Sequence, residues 1–173
     1  MGPVNPKRRR LIVNADDFGR SHRINEAVVR ALHDGILTTA SLMVNGHAFD
    51  DAVRLAHENP ALGVGLHLTL VCGRSTLKPT EIPHLVDNRY NFTDSPLRAG
   101  FHYFFRPRLR AQLRQEIHAQ IQRFHQTGLP LDHLNGHLNL HLHPTVLSLL
   151  TRHAPEWKIR HVRLTRDHFW LNL

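Results

Sequence analysis

The chain has 173 residues, of which 41% are hydrophobic and 21% are charged, which predicts a folded domain with a real core and excludes a mainly disordered chain. Lysine and arginine outnumber aspartate and glutamate by 22 to 14, a net charge of +8 with histidine neutral, and there are 16 histidines. The single cysteine, Cys72, excludes an internal disulfide framework and a cysteine-based zinc finger, and no apolar stretch approaches the ~20 residues of a membrane span.

The amino-terminal segment MGPVNPKRRR is basic, but no long apolar stretch follows it, so we do not expect a secretory signal peptide. With the single cysteine, which fits a reducing compartment, this predicts a cytoplasmic protein. Peripheral contact with the inner membrane stays open. The basic run Lys7–Arg10 is expected to be a solvated arm, and contact with nucleic acid or anionic lipid is the alternative.

The predicted elements alternate between strands and helices. Apolar periodicity predicts strands over 10–15, 38–44 and 63–70, with helices over 21–34 and 48–58 between them. Segment 71–105 is rich in turn residues, so we expect a long functional loop there. A helix over 107–127, a strand over 131–140, a helix over 144–153 and a strand over 159–164 follow. This order predicts a single α/β domain with a mainly parallel sheet and right-handed crossovers.

The helix predicted over 107–127 has an apolar stripe of residues three and four positions apart: Leu109, Leu113, Ile117, Ile121 and Phe124. Its many arginines are expected to face solvent, and binding of a phosphate or a lipid headgroup is the alternative. The aromatic residues just before it, Phe101 to Phe105, either cover a sugar or a lipid tail or pack in the core.

Acidic residues and histidines gather near the ends of the predicted strands. Asp16 and Asp17 follow the first strand, His67 lies in the third, and segment 133–143 holds four histidines. Because the carboxyl ends of parallel strands share one edge, we expect these groups to meet. A divalent cation would compensate two adjacent carboxylates, one binding the metal and the other staying free as a base. An aspartate with two histidines suits zinc or a similar ion.

The same residues also have a structural interpretation. The two aspartates could form a turn or a helix cap, and His67 could be a core histidine, although Gly63 and Gly65 permit close approach of a ligand or a chain segment. In the strand predicted over 131–140, alternation places five polar residues on one face: His133, Asn135, His137, Asn139 and His141. That face is either a metal and hydrogen-bonding surface or a solvated one.

Three stretches resemble the YdjC-like carbohydrate deacetylases: LIVNADDFG, GVGLHLTL and DHLNGHLNLHLHP. Four more are similar to the branch of that family associated with hopanoid biosynthesis: ILTTASLMVNG, EIPHLVD, RAGFHYFFRPRLRAQLRQEI and LHLHPTV. The resemblance runs from about Arg9 to Leu164. It implies an irregular or incomplete TIM-like (β/α) barrel, one divalent metal ion (zinc or magnesium), and removal of the N-acetyl group from an N-acetylated sugar. In this branch the implied substrate is an N-acetylglucosaminyl hopanoid glycolipid.

The resemblance also implies roles for individual residues. Asp16 matches the general base, and Asp17, His67 and His137 match the metal ligands. Asn139 stands where the family usually has a histidine, and its amide cannot titrate. Asn139 and His141 are therefore candidates for a substrate contact or for the acid role, with His141 alone able to supply a proton.

Five predicted strands are fewer than the eight of a full barrel, which takes ~250 residues, so we expect a single deacetylase domain over 1–173 that lacks carboxyl-terminal barrel units. Three functions stay open: a metal-dependent deacetylase, a truncated remnant without turnover, and a basic protein that binds anionic lipid or nucleic acid. No nucleic-acid motif is present, so a nucleic-acid partner is not expected. A homo-oligomer stays open.

Overall fold

The computed structural model describes residues 11–165, so the basic run Lys7–Arg10 lies outside the described residues. Four parallel strands form one sheet in chain order: β1 (Asn14–Phe18), β2 (Thr39–Leu42), β3 (Gly63–Leu68) and β4 (Leu134–Gly136). The helices are α1 (His22–His33), α2 (Phe49–Glu58), α3 (Pro96–Phe105), α4 (Leu109–His125) and α5 (Pro144–His153). No helix within 11–165 has both the length and the apolar character needed to cross a membrane.

This arrangement confirms the α/β class and the parallel sheet. Over the described residues the sheet is open, so its closure into a barrel stays a prediction. The strand predicted over 159–164 is wrong as a full strand, because only one bridge forms there, between Leu134 and Val162. At that bridge the N–H of Leu134 donates to the carbonyl of His161, and the carbonyl of Leu134 accepts from the N–H of Arg163.

The first strand begins and ends later than predicted. Residues 16 and 17 lie inside β1, where the sequence predicts a position after the strand. The strand continues through them by a β-bulge. The pairing moves from Ala15↔Ala40 to Phe18↔Leu42, so β1 advances three residues while β2 advances two. Phe18 then returns to the core and is fully buried.

The long strand predicted over 131–140 is wrong beyond its middle. After Leu134–Gly136 the chain forms two short 3-10 turns over His137–Leu142, separated by a kink at which Leu138 (φ 51°) and Asn139 (φ 57°) adopt left-handed backbone. Alternation of leucine with polar residues predicts a strand, but the left-handed backbone at Leu138 and Asn139 prevents the strand from continuing. The five polar residues therefore do not share one strand face.

Segment 71–105 contains a helix where the sequence predicts a loop throughout. Ser95 Oγ accepts a hydrogen bond from Arg98 N, and Pro96 occupies the first turn of α3, which is a standard helix start. Nearer the start of the segment, the backbone N–H groups of Thr76 and Leu77 donate hydrogen bonds to the buried Glu116 of α4, over 2.8 Å and 3.0 Å. The loop is therefore tied to the core.

The apolar stripe of the long helix is confirmed. All five of its members are buried, with exposed fractions between 0 and 3%: Leu109, Leu113, Ile117, Ile121 and Phe124. They join Leu66, Leu68 and Leu134 of the sheet in one hydrophobic cluster. Burying a side chain of this size contributes about 1.5–3 kcal/mol, so this helix holds one side of the sheet firmly.

Candidate active site

Three side chains from separate strand ends meet at the carboxyl edge of the sheet. Asp17 Oδ1 lies 3.3 Å from His67 Nε2 and 3.0 Å from His137 Nδ1, and the two ring nitrogens are 3.3 Å apart. Asp17 belongs to β1, His67 to β3, and His137 follows β4. Residues 120 positions apart in the chain thus form one triangle of ligand-type atoms.

The bulge in β1 explains how two successive aspartates reach the same place. Successive residues of a regular strand point to opposite faces. Asp17 instead has a left-handed backbone (φ 63°), which aspartate tolerates better than most residues. Asp16 Oδ1 consequently lies 4.0 Å from His67 Nδ1, while Asp17 lies against His67 Nε2. One carboxylate faces each nitrogen of the same imidazole.

The triangle fits a divalent cation. Asp17 Oδ1 is buried, and no described group donates a hydrogen bond to it with good geometry. Neighbouring ligands around an ion with bonds of about 2.1 Å lie roughly 3.0–3.4 Å apart, the spacing of these three atoms. The donor set of one carboxylate and two imidazoles is one of those that catalytic zinc sites use, with a position left for water. Asp17, His67 and His137 could therefore hold a metal.

Asn135 fixes which nitrogen of His67 is available. Asn135 Nδ2 is 2.9 Å from the carboxylate oxygen Asp16 Oδ1, which only accepts, so the amide oxygen of Asn135 must face the imidazole. His67 Nδ1 then donates its N–H to Asn135 Oδ1 over 2.6 Å, and the lone pair stays on Nε2. The available lone pair points into the triangle.

Asp17 is held as a carboxylate. The ring of His137 and the guanidinium group of Arg20 beside it hold the pKa of Asp17 well below its usual range, against the opposing effect of burial. Arg20 Nη1 donates to the other oxygen, Asp17 Oδ2, over 3.0 Å. The ionised form is the one that binds a cation.

Asp16 is held by the guanidinium group of Arg163. The two contacts, Nη1 to Oδ1 and Nη2 to Oδ2, are each 2.9 Å long. Partial burial would raise the pKa of Asp16, but Arg163 holds it below its usual value. Asn14 and Asn135 also donate to Oδ1, whereas Oδ2 accepts only from Arg163 among the described residues. Oδ2 therefore keeps acceptor capacity, and the side chain is 39% exposed.

Sequence reasoning missed the roles of Asn135 and Arg163. Asn135 lies two residues before His137, so its spacing was a usable signal for the same strand face. Arg163 carried no such signal, because its contact with Asp16 spans 147 residues and depends on the short bridge beside β4.

The other predicted histidines lie outside the triangle. His133 Nε2 is 2.9 Å from Ser41 Oγ, and Gly65 makes room for it, because a Cβ there would come within 2.5 Å of the His133 ring. His141 is fully buried, with Nε2 2.9 Å from the Arg163 carbonyl, and burial lowers its pKa. His143 caps α5 through Thr145 N. Asn139 Oδ1 accepts from Thr165 Oγ1.

A cavity of about 1310 Å³ lies near the triangle, although none of the three triangle residues lines it. Arg20 connects the two, because it lines the cavity and also bonds Asp17. The segment 72–106 supplies much of the remaining wall, including Arg74, Arg98 and Tyr103. Its size is that of a pocket for a sugar-sized or larger ligand.

Comparison with known proteins gives consistent matches. The sequence profile of a family described as YdjC-like protein matches residues 10–173. A carbohydrate deacetylase of Brevibacillus brevis is 39% identical over 150 residues, which cover 87% of this chain and 57% of that protein. A carbohydrate deacetylase of Geobacillus stearothermophilus is 38% identical over 162 residues, covering 92% of this chain and 62% of the relative. The chain thus spans about three fifths of the length of these relatives.

A solved structure shares the fold. It is a crystal structure of an Enterococcus faecalis V583 protein to which cellobiose-phosphate cleavage has been ascribed. The TM-score is 0.76 at 24% sequence identity, over 94% of this chain and 62% of that one. At this identity the match shows the fold alone.

Proposed function

Because this chain belongs to the YdjC-like protein family, we propose that it is a metal-dependent hydrolase that removes the N-acetyl group from an acetylated sugar. The observation that carries the proposal is that Asp17, His67 and His137 meet at one point, with the carboxylate of Asp16 close to the other side of the His67 ring. The names of the relatives, carbohydrate deacetylases, support the reaction and the class of substrate.

The metal ligands in this proposal are Asp17 Oδ1, His67 Nε2 and His137 Nδ1. Two imidazole nitrogens favour zinc or another transition metal over magnesium, which prefers oxygen ligands. When bound, such a cation would polarise the acetamide carbonyl and lower the pKa of a water molecule. Asn135 keeps the His67 lone pair directed at the site by accepting from Nδ1.

Asp16 is the general base. Its Oδ2 atom takes the proton of the attacking water, because Oδ1 is already engaged by Asn14, Asn135 and Arg163. Arg163 holds the carboxylate in one orientation and keeps it unprotonated before attack. The proposal assigns no general acid: His141 is buried against the Arg163 carbonyl, and the Asn139 amide cannot titrate.

The finer substrate that we propose is an N-acetylglucosaminyl glycolipid of the hopanoid type. Its support is the similarity of four stretches to the hopanoid-associated branch, including RAGFHYFFRPRLRAQLRQEI, which spans most of α3 and the start of α4. The sugar would enter from the cavity next to Arg20.

The test is acetate release with added zinc from two substrates, N-acetylglucosaminyl glycolipid and a soluble chito-oligosaccharide. Asp16→Asn should lower kcat by about 10²–10⁴-fold, the usual contribution of a general base. Asp50→Asn, an exposed carboxylate in the first turn of α2, is the matched control and should keep full activity. Full turnover by Asp16→Asn, or turnover indifferent to a chelator, would contradict the proposal.

A further inference from the structure

Helix α3 turns large apolar side chains outward. Leu97, Phe101, Phe104 and Phe105 are 77, 64, 53 and 67% exposed, whereas Ala99 and Tyr103 on the other side of the helix are buried. The rings form a continuous group, because Phe101 stacks on Phe105 at 6.0 Å and Phe104 meets Phe105 edge-on at 5.0 Å. Adjacent exposed side chains of this size mark an interaction surface.

The segment that carries this surface is strongly basic. From Ser95 to Gln115 the chain has five arginines and no acidic residue. Arg98 and Arg106 line the large cavity on the other side of α3, whereas Arg110 lies beside Phe104. Arg108 and Arg110 are exposed, and within residues 11–165 neither forms a salt bridge. Aromatic rings flanked by unpaired arginines are typical of helices that lie in the interface of an anionic bilayer.

The apolar surface adjoins the candidate active site. A groove of about 430 Å³ runs between Phe101 and Phe104 on one side and Leu138 and Asn139 on the other. Leu138 directly follows His137, and His143 Nε2 donates to the carbonyl of Gly100 over 3.1 Å. His143 Nδ1 accepts from Thr145 N, so Nε2 is the protonated nitrogen. The helix is thereby fixed to the segment that carries a metal-site histidine.

We propose that this lipid-facing surface, made of Leu97, Phe101, Phe104 and Phe105 with the neighbouring Arg108 and Arg110, docks on an anionic lipid bilayer. The positive charge of the arginines favours a lipid bilayer over a second copy of this chain as the partner of this surface. A twofold contact between two copies would set each arginine group against its own equivalent, which is unfavourable, whereas anionic headgroups neutralise it. Docking by this surface goes beyond the proposed function and does not depend on turnover. If turnover also occurs, the docked site is held close to headgroup sugars.

The experiment is sedimentation of the full chain with sucrose-loaded vesicles, without substrate. Vesicles of phosphatidylcholine with phosphatidylglycerol should retain the wild type, and pure phosphatidylcholine vesicles should not. Arg108→Gln with Arg110→Gln should weaken partitioning by about fivefold per arginine. Phe101→Ser with Phe105→Ser should weaken it by about tenfold or more, because partly inserted apolar area is lost.

Two variants elsewhere are the matched controls. Ile36→Ser removes an apolar side chain that is 73% exposed at the amino end of β2, and Arg30→Gln removes an exposed arginine of α1. Both should bind as the wild type does. Thermal melts verify that each variant folds. If the Phe pair fails to fold, the arginine pair decides the outcome together with binding at 0.5 M salt, which should be weaker because salt screens the attraction between arginines and headgroups.

Three results would overturn the proposal: equal binding to neutral vesicles, unchanged binding by the arginine pair, or a concentration-dependent dimer that the Phe pair abolishes while vesicle binding is absent. Because acetate release is measured separately, failure to bind vesicles leaves the proposed hydrolase standing, and failure of turnover leaves the docking surface standing.

Discussion

His67 Nδ1 lies 2.6 Å from Asn135 Oδ1, and Asn135 Nδ2 lies 2.9 Å from Asp16 Oδ1, so one amide connects a proposed metal ligand to the proposed base. The three groups come from β3, β4 and β1, which are not all neighbours in the sheet. The amide oxygen and the amide nitrogen are used for different tasks, and the oxygen determines where the lone pair of His67 lies.

Replacing this amide should weaken the metal site. Asn135→Ala removes the acceptor for His67 Nδ1–H, so the imidazole loses its fixed tautomer and orientation, and zinc affinity should fall by about 10–100-fold. Competition with a chromophoric chelator measures the affinity without any substrate. Asn14→Ala is the matched control, because Asn14 also donates to Asp16 Oδ1 but does not contact His67. Equal losses in the two variants would contradict the assignment.

Zinc should stabilise the fold through Asp17, His67 and His137. A ligand that binds only the native state at 100 times its Kd adds about 2.7 kcal/mol to the free energy of unfolding. Urea unfolding with and without zinc should show this gain in the wild type and none in His137→Ala. His133→Ala, which removes a ring bonded to Ser41 outside the triangle, should keep the gain. A zinc effect that survives in His137→Ala would place the metal elsewhere.

Arg163 should matter for turnover and not for metal binding. Arg163→Ala frees Asp16 to rotate, and a displaced base costs about 10²-fold in rate, so kcat should fall by that order while KM and the zinc Kd stay near wild type. Added guanidinium chloride at millimolar concentration should restore part of kcat, because it can occupy the place of the lost side chain. Absence of rescue together with a weakened zinc Kd would indicate a purely structural role.

Asp51 should make stability depend on pH in the acid range. Asn25, Arg54 and His22 lower its pKa from an ordinary 3.8 to about 2. The unfolded state therefore binds the proton first as pH falls, so the stabilisation is complete above pH 4 and is lost between pH 4 and 2. The stability difference between wild type and Asp51→Asn, from urea midpoints, should shrink over that interval. A pH-independent difference for Asp51→Asn would contradict the prediction.

Local signals predicted part of this molecule correctly. Pro144 at the helix start and the apolar spacing after it give α5 the bounds found in the structure, Pro144–His153. The rule that parallel strands end at one edge brought Asp17, His67 and the histidine-rich segment 133–143 to the same region, since it needs only the order of strands and helices. Only the family resemblance singled out His137 within that segment. The metal, its identity and the roles of these residues stay predictions.

Other features could not be read from the sequence because they depend on distant partners. Strict alternation would send Asp16 and Asp17 to opposite faces, and only the bulge against β2 brings both to His67. The leucine alternation around Leu138 looks like a strand, yet a left-handed turn ends β4 at Gly136. Helix α3 was not predicted because turn residues surround it in the sequence, although Ser95-Pro96 is a recognisable helix-start signal.

Glu116 should be essential as a carboxylate for the loop after β3. Its Oε1 accepts from Thr76 N and from Gln120 Nε2, and its Oε2 accepts from Leu77 N, so three donors converge on two oxygens. Glu116→Gln has the same shape but only one acceptor atom, and its NH₂ group must face a buried donor. Burial raises the pKa of Glu116, yet three donors favour the ionised form.

The expected cost of Glu116→Gln is about 1–3 kcal/mol of unfolding free energy, the usual result of leaving a buried donor unpaired. Amide hydrogen exchange at Thr76 and Leu77 should also accelerate, which locates the loss in the loop. Glu58→Gln, in an exposed pair with Arg54, should cost less than about 0.5 kcal/mol. If Glu116→Gln were as stable as the wild type, the native carboxyl would have to carry a proton, because an amide could replace only the neutral acid without loss.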